Sequence, residues 1–122
     1  MPLSDADSDV IDASVIESLR SLAMPGEPDI LADVVQLFLA DSPVMLASLS
    51  AAMEAGDGEA VSSIAHRLRG SALELGAIRM VPLCAEIELA AHSGSIAQCR
   101  ALAESLEREL AAACAALEGA VR

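Results

Sequence analysis

Residues 65–77 read A-H-R-L-R-G-S-A-L-E-L-G-A and hold most of the chemistry this chain offers. His66 is followed by Arg69 three residues on, Gly70 four on and Ser71 five on. At about 100° per residue in a helix, Arg69 and Gly70 flank His66 on one face, one turn along. Ser62, Ser63 and Glu59 fall on that face one and two turns earlier, and Leu73 lies one turn beyond Gly70. Val61, Ile64, Leu68 and Leu75 point the opposite way, within roughly 40° of the direction directly away from His66. The pattern holds the imidazole in solvent and anchors its helix by the far face. With a cation on one side and no side chain on the other, this imidazole is arranged for contact by a second molecule.

Gly70 is the sharper feature. Glycine inside a helix costs about 0.5–1 kcal/mol relative to alanine, and alanine is plentiful in this chain. Removing a side chain beside an exposed histidine makes sense where another protein must bring its own reacting group against the ring. Arg69 adds fixed positive charge and several donors, which suits an anionic group such as phosphoryl on the imidazole. A surface histidine on an ordinary amphipathic helix explains either residue alone, but not the joint spacing of His, base, Gly and Ser followed by Leu-Gly-Ala.

The segment resembles the histidine-containing phosphotransfer (HPt) domains of multistep phosphorelays, whose signature runs His-x-Leu-Lys-Gly-Ser-(Ser/Ala)-x-x-Leu-Gly-Ala. Here it stands as His66-Arg67-Leu68-Arg69-Gly70-Ser71-Ala72-Leu73-Glu74-Leu75-Gly76-Ala77. Arg69 replaces the usual lysine, keeping the charge but presenting a planar fork in place of a compact ammonium. The chain contains no lysine at all. The resemblance extends to Phe38-Leu39-Ala40-Asp41-Ser42-Pro43 before the motif and Leu83-Cys84-Ala85-Glu86-Ile87-Glu88 after it, covering roughly residues 10–118.

What the resemblance implies is a phosphocarrier. A histidine accepts a phosphoryl group from the aspartate of one receiver domain and passes it to another. His66 would be the phosphoacceptor and Arg69 its electrostatic support. Gly70, Leu73, Ser62, Ser63 and Arg67 would face the partner, and Glu88 on a neighbouring helix would orient the imidazole. The expected partners are response-regulator receivers and a hybrid histidine kinase. The chain needs no cofactor of its own on this reading, and magnesium is expected on the receiver.

Other chemistries lack their parts. No glycine-rich nucleotide loop of the P-loop type is present, so phosphorylation from ATP is not expected. Ser71 lies about 140° around the helix from His66, a poor position for a hydrolase dyad. Cys84, Cys99 and Cys114 are odd in number and far apart. Cys99 falls in the stripe Cys99, Leu102, Leu106, Leu110, Ala113, Leu117, and Cys84 beside Leu83 and Ile87, so both read as small core residues rather than metal ligands. His92, just before Ser93-Gly94, reads as a structural residue at a helix end. Two alternatives stay open: a receiver-binding interaction module that carries no phosphate, and the phosphoacceptor part of a sensor kinase. The first would most simply lack the histidine. The second would be followed by an ATP-binding domain, of which no sequence is present.

The elements that position His66 follow from composition and periodicity. The 122 residues suffice for one domain. They are 54% hydrophobic, yet include one Phe and no Trp or Tyr, which favours close-packed helices over strands. A net charge of −12 argues against nucleic acid or an anionic membrane as partner. The apolar runs are interrupted by Asp33, Asp41, Glu86 and Glu88, so no unbroken stretch reaches spanning length. The acidic start M-P-L-S-D-A-D-S-D does not resemble a secretory signal, and a cytoplasmic monomer is expected, either free-standing or part of a larger hybrid kinase.

Residues 1–10 read as a disordered acidic tail and 11–119 as the helical domain. A first helix over about 12–23 is capped by Asp12 and shows Val15, Leu19 and Leu22 on one side. A second spans about 28–55, with Pro43 kinking it, or splitting it with Ser42 as a new cap. The continuous, kinked form is favoured. Asp57 caps a third helix that carries the motif to Gly76, a fourth runs over about 79–92, and Ser95 caps a fifth reaching about 118. Short connections between long amphipathic helices predict an all-α, up-and-down four-helix bundle, with the first helix packed against one end or side.

Overall fold

The computed structural model describes residues 9–26 and 29–121. Within them lie five helices: α1 (Ala13–Ser21), α2 (Ile30–Glu54), α3 (Gly58–Leu75), α4 (Met80–His92) and α5 (Ile96–Ala120). No strand occurs among the described residues. Short polar side chains start four of these helices by accepting an otherwise unpaired backbone N–H. Asp12 accepts from Ser14, Asp29 from Ala32, Asp57 from Ala60 and Ser95 from Gln98. Two hydrogen bonds from Ser14, first from its hydroxyl and then from its backbone N–H, lower the Asp12 pKa from its ordinary value. The fourth helix, α4, has no side-chain cap at Arg79, and its first turn holds Pro82, which has no N–H to satisfy.

Each bundle helix packs against the next in sequence, α2 on α3, α3 on α4 and α4 on α5, and α5 returns against α2. This is the expected up-and-down four-helix bundle, with α1 set against α2 and α3. The α2 helix is continuous through Pro43. Ser42 does not act as a new cap: it is buried, and its Oγ donates to the Phe38 carbonyl 2.6 Å away. Because it is unbroken, α2 is long and apolar enough, by length and composition alone, to cross a membrane, with a mean hydropathy of 1.6. It nonetheless forms one side of the bundle, with Leu31, Val35, Phe38, Leu49 and Met53 in the core.

Three expectations need correction. The face that α1 buries is not Val15, Leu19 and Leu22. Ile16 is the buried residue of this helix, Val15 and Leu19 are half-buried, and Leu22 is exposed. The reason is that α1 is held by its ends. The Asp12 N–H donates to the Gly76 carbonyl at 2.8 Å, and Arg20 donates to the Ala120 carbonyl, also at 2.8 Å. Second, Val10 and Ile11 are buried in the core ahead of α1, so ordered packing begins before residue 11. Residues 1–8 of the expected tail lie outside the described residues, as does Pro28, the expected start of the second helix; the observed cap there is Asp29. Third, α5 runs two residues past the expected end, to Ala120.

Gly76 has two roles. It ends α3 with φ of 70°, a left-handed conformation that glycine adopts without strain. A Cβ there would also meet Asp12 Cβ and Val15 Cβ at 3.1 Å. Gly76→Ala is therefore expected to destabilise the fold by about 1–3 kcal/mol, read as a lower denaturant midpoint with an unchanged slope. A midpoint equal to that of the unaltered chain would mean that α1 does not dock as described.

Candidate functional site

The motif helix α3 is anchored by Val61, Ala65, Leu68, Ala72 and Leu75, each essentially inaccessible, while Ile64 is only half-buried. Taking about 100° per residue, that stripe is centred about 140° from His66 rather than directly opposite it. The two alanines bring the buried face round toward α4 and let that helix approach closely. His66 consequently rises at the seam between α3 and α4 instead of at the crown of the helix.

There its ring meets Glu88. The His66 Nδ1 lies 3.0 Å from Glu88 Oε1 and 3.0 Å from the Arg69 Nη2. Arg69 Nε also stands 2.8 Å from Glu88 Oε2, and its Nη2 donates to Glu88 Oε1 at 3.4 Å. The Nε–H is not aligned on Oε2, so that contact is an ion pair held by charge rather than a well-directed hydrogen bond. Glu88 has 16% of its side chain exposed, whereas His66 keeps 67%. A half-buried ion pair thus grips one nitrogen of an otherwise open ring. In the tautomer with a proton on Nδ1, the ring donates to Glu88 and Nε2 keeps its lone pair. In the other tautomer, Arg69 donates to Nδ1.

The remaining expected residues take three positions. Ser62 and Ser63 line a shallow groove of about 720 Å³ that begins at His66 and Glu88. Leu73 is 58% exposed on the same face, and Arg67 is exposed further around the helix. Gly70 is open: nothing lies within 4 Å of where a Cβ would stand. The glycine therefore satisfies no packing demand inside the chain. Arg79, just beyond the motif, pairs with Glu109 on α5 at 3.7 Å and stands apart from the site.

Two features of the site were not expected from the sequence. One is the pairing of Arg69 with Glu88. Arg69 was expected as electrostatic support for the phosphoryl group, and here its guanidinium lies on the Nδ1 side of the ring. The other is His92, which was read as structural and in fact lines the groove, its Nε2 3.5 Å from Ser62 Oγ. Cys84 sits fully buried in α4, one turn before Glu88. Burial, with a smaller push from the charge of Glu88, raises its thiol to about 12. It is an inert core thiol at neutral pH. Among the described residues, no group of three or more His, Cys, Asp or Glu stands together in a way that could hold a metal ion.

The family model of the Hpt domain matches residues 33–120 of the chain. Histidine-containing phosphotransfer protein 5 of Arabidopsis thaliana is 36% identical over 69 residues, covering 54% of this chain and 44% of that protein. Multistep phosphorelay regulator 1 of Schizosaccharomyces pombe is 30% identical over 82 residues, covering 67% of this chain and 28% of that protein. The chain spans less than half the length of these two relatives. Among solved structures, the crystal structure of histidine-containing phosphotransfer protein B from Pseudomonas aeruginosa matches with a TM-score of 0.82 at 31% identity, covering 90% of this chain and 92% of the other.

Proposed function

Since the chain belongs to the Hpt domain family, we propose that it is a phosphorelay intermediate whose phosphoacceptor is His66. The observation that carries this reading is an asymmetry in the ring. Nδ1 lies 3.0 Å from Glu88 Oε1, to which it donates, and Arg69 pairs with the same carboxylate, while the His66 side chain stays 67% exposed, which leaves Nε2 as the reacting atom. Nε2 attacks the phosphorus of a receiver's aspartyl phosphate. The Nε2–P bond forms as the bond from phosphorus to the carboxylate oxygen breaks, and the carboxylate leaves with the electron pair. The ring gains positive charge in this step, and Glu88, accepting from Nδ1–H, balances it. Arg69 holds Glu88 in position and supplies longer-range attraction for the anion. Transfer to a second receiver is the same step reversed.

Gly70 and the exposed Leu73 form the approach for the receiver, with Ser63 and Arg67 at its rim. Response-regulator receivers and a hybrid histidine kinase are the partners of this reading. Magnesium sits on the receiver, and the carrier acts as a cytoplasmic monomer without autokinase activity. Incubation with a phosphorylated receiver is expected to label the chain with an acid-labile, base-stable bond, and ATP with magnesium alone is expected to give none. Stable binding of a receiver without any label would instead make the chain an interaction module. Stoichiometric labelling from ATP by the purified protein would make it a kinase.

A further inference from the structure

The groove that runs from His66 toward the start of α3 ends on a second imidazole. His92 is the last residue of α4, and its Nε2 lies 3.5 Å from Ser62 Oγ. Ser62 stands one turn before His66 on the same face of α3, about 6 Å along the axis. Gly58 makes this juxtaposition possible. A Cβ at Gly58 would meet the Ala91 carbonyl oxygen at 3.1 Å, so even an alanine there would require the end of α4, which carries His92, to give by a few tenths of an ångström.

Arg69 does not serve the same side of the ring. Its guanidinium is paired with Glu88 on the Nδ1 side of the ring, whereas a phosphoryl group would be carried on Nε2. The charged side chains lining the groove are Glu59 and Glu88, both acidic. Of the residues lining it, His92 is the only one besides His66 able to bring positive charge, and the two imidazoles share a single continuous space. A bound phosphoryl group adds three strong acceptor oxygens, and Ser62 Oγ–H and the His92 ring N–H are the donors on that side.

We infer that Ser62 and His92 form a second phosphoryl contact, donating to the oxygens of the group that Nε2 of His66 carries. The inference rests on His66 being the phosphoacceptor. It gives His92 a role in holding the anion that is independent of which receiver delivers it. The pair belongs to the carrier itself, so its effect persists with a donor too small to dock on the helix face.

Phosphoramidate is such a donor. Nε2 attacks phosphorus, the P–N bond to the protonated amine breaks, and ammonia leaves. His92→Ala, at the exposed end of α4, is expected to be labelled about three- to tenfold more slowly than the unaltered chain at the same phosphoramidate concentration, the effect of losing roughly one hydrogen bond. Ser62→Ala is expected to slow labelling similarly, and His92→Lys to restore most of the rate by supplying an N–H donor at the same place. The melting curve by circular dichroism should not move for any of the three. In the unaltered chain, the 15N resonances of the His92 ring are expected to shift when His66 becomes phosphorylated, which a purely structural residue would not show. Labelling of His92→Ala at the unaltered rate, or an unmoved His92 resonance, overturns the contact. No labelling of the unaltered chain at all removes His66 as phosphoacceptor, and this contact with it.

Discussion

His66→Gln is expected to lose all phosphoryl label from a phosphorylated receiver while keeping its fold. The loss should be complete because no other side chain in the site is a comparable nucleophile. Ser62 has the His92 imidazole 3.5 Å from its Oγ, but a phosphoserine ester is acid-stable and would not carry the acid-labile label, and Cys84 is a buried thiol. The fold should survive because His66 is an exposed residue on the solvent side of α3. Arg69 and Glu88 remain paired to each other at 2.8 Å when the ring is gone, so no half-buried charge is stranded. The stability change should stay within about 0.5 kcal/mol, as for ordinary surface substitutions. Label retention and the thermal midpoint, measured on one preparation, separate the two claims. Persistent acid-labile label in the variant would place the phosphoacceptor elsewhere.

Much of this architecture is legible in the chain because its punctuation is local. Asp12, Asp57 and Ser95 announce helix starts, and Gly56 and Gly76 announce ends, through hydrogen bonds made within a few residues. The His-x-x-Arg-Gly spacing is equally local, so the exposed face of α3 could be read without any fold. Contacts set by helix register could not. Whether Arg69 meets Glu88 depends on how far α4 slides along α3, and no spacing within either helix encodes that. His92 lies thirty residues from Ser62 in sequence, and its own neighbours describe only a helix end. Alanine gives equally little signal. Ala65 and Ala72 carry weak hydrophobic weight, yet they are fully buried and turn the packed face of α3 toward α4. For α1, docking by backbone hydrogen bonds at Gly76 and Ala120 outweighed its apolar stripe.

Arg69 also illustrates how residue type decides geometry. Its fork reaches Nδ1 of His66 and both oxygens of Glu88 from one side chain. A lysine would keep the charge in a single compact group and could not span the same set. The substitution from the usual family residue thus ties the cation more firmly to the Nδ1 side of the ring.

The largest effect that leaves the reacting groups untouched is expected at Gly70. Its Cβ position is empty to 4 Å and its φ is not left-handed, so Gly70→Ala should stabilise the helix by about 0.5–1 kcal/mol. Nothing inside the chain therefore asks for glycine. Gly70→Gln should fold at least as well, yet its longer side chain would stand beside His66, where a receiver must bring its aspartate to within bonding distance. Displacement of the reacting pair by an ångström or so costs about a hundredfold in rate, and that is the slowing expected for receiver-to-His66 transfer in single-turnover measurements at matched folded fraction. Phosphoramidate, being small, should still label the same variant at close to the unaltered rate. The contrast isolates the cause: a change in nucleophilicity would slow both donors, whereas a clash slows only the protein donor. Equal rates from the receiver in Gly70→Gln and the unaltered chain would mean that the partner does not approach over this face. The exposed Leu73 would then have no claim to the docking surface either, because both residues project from the same side of α3.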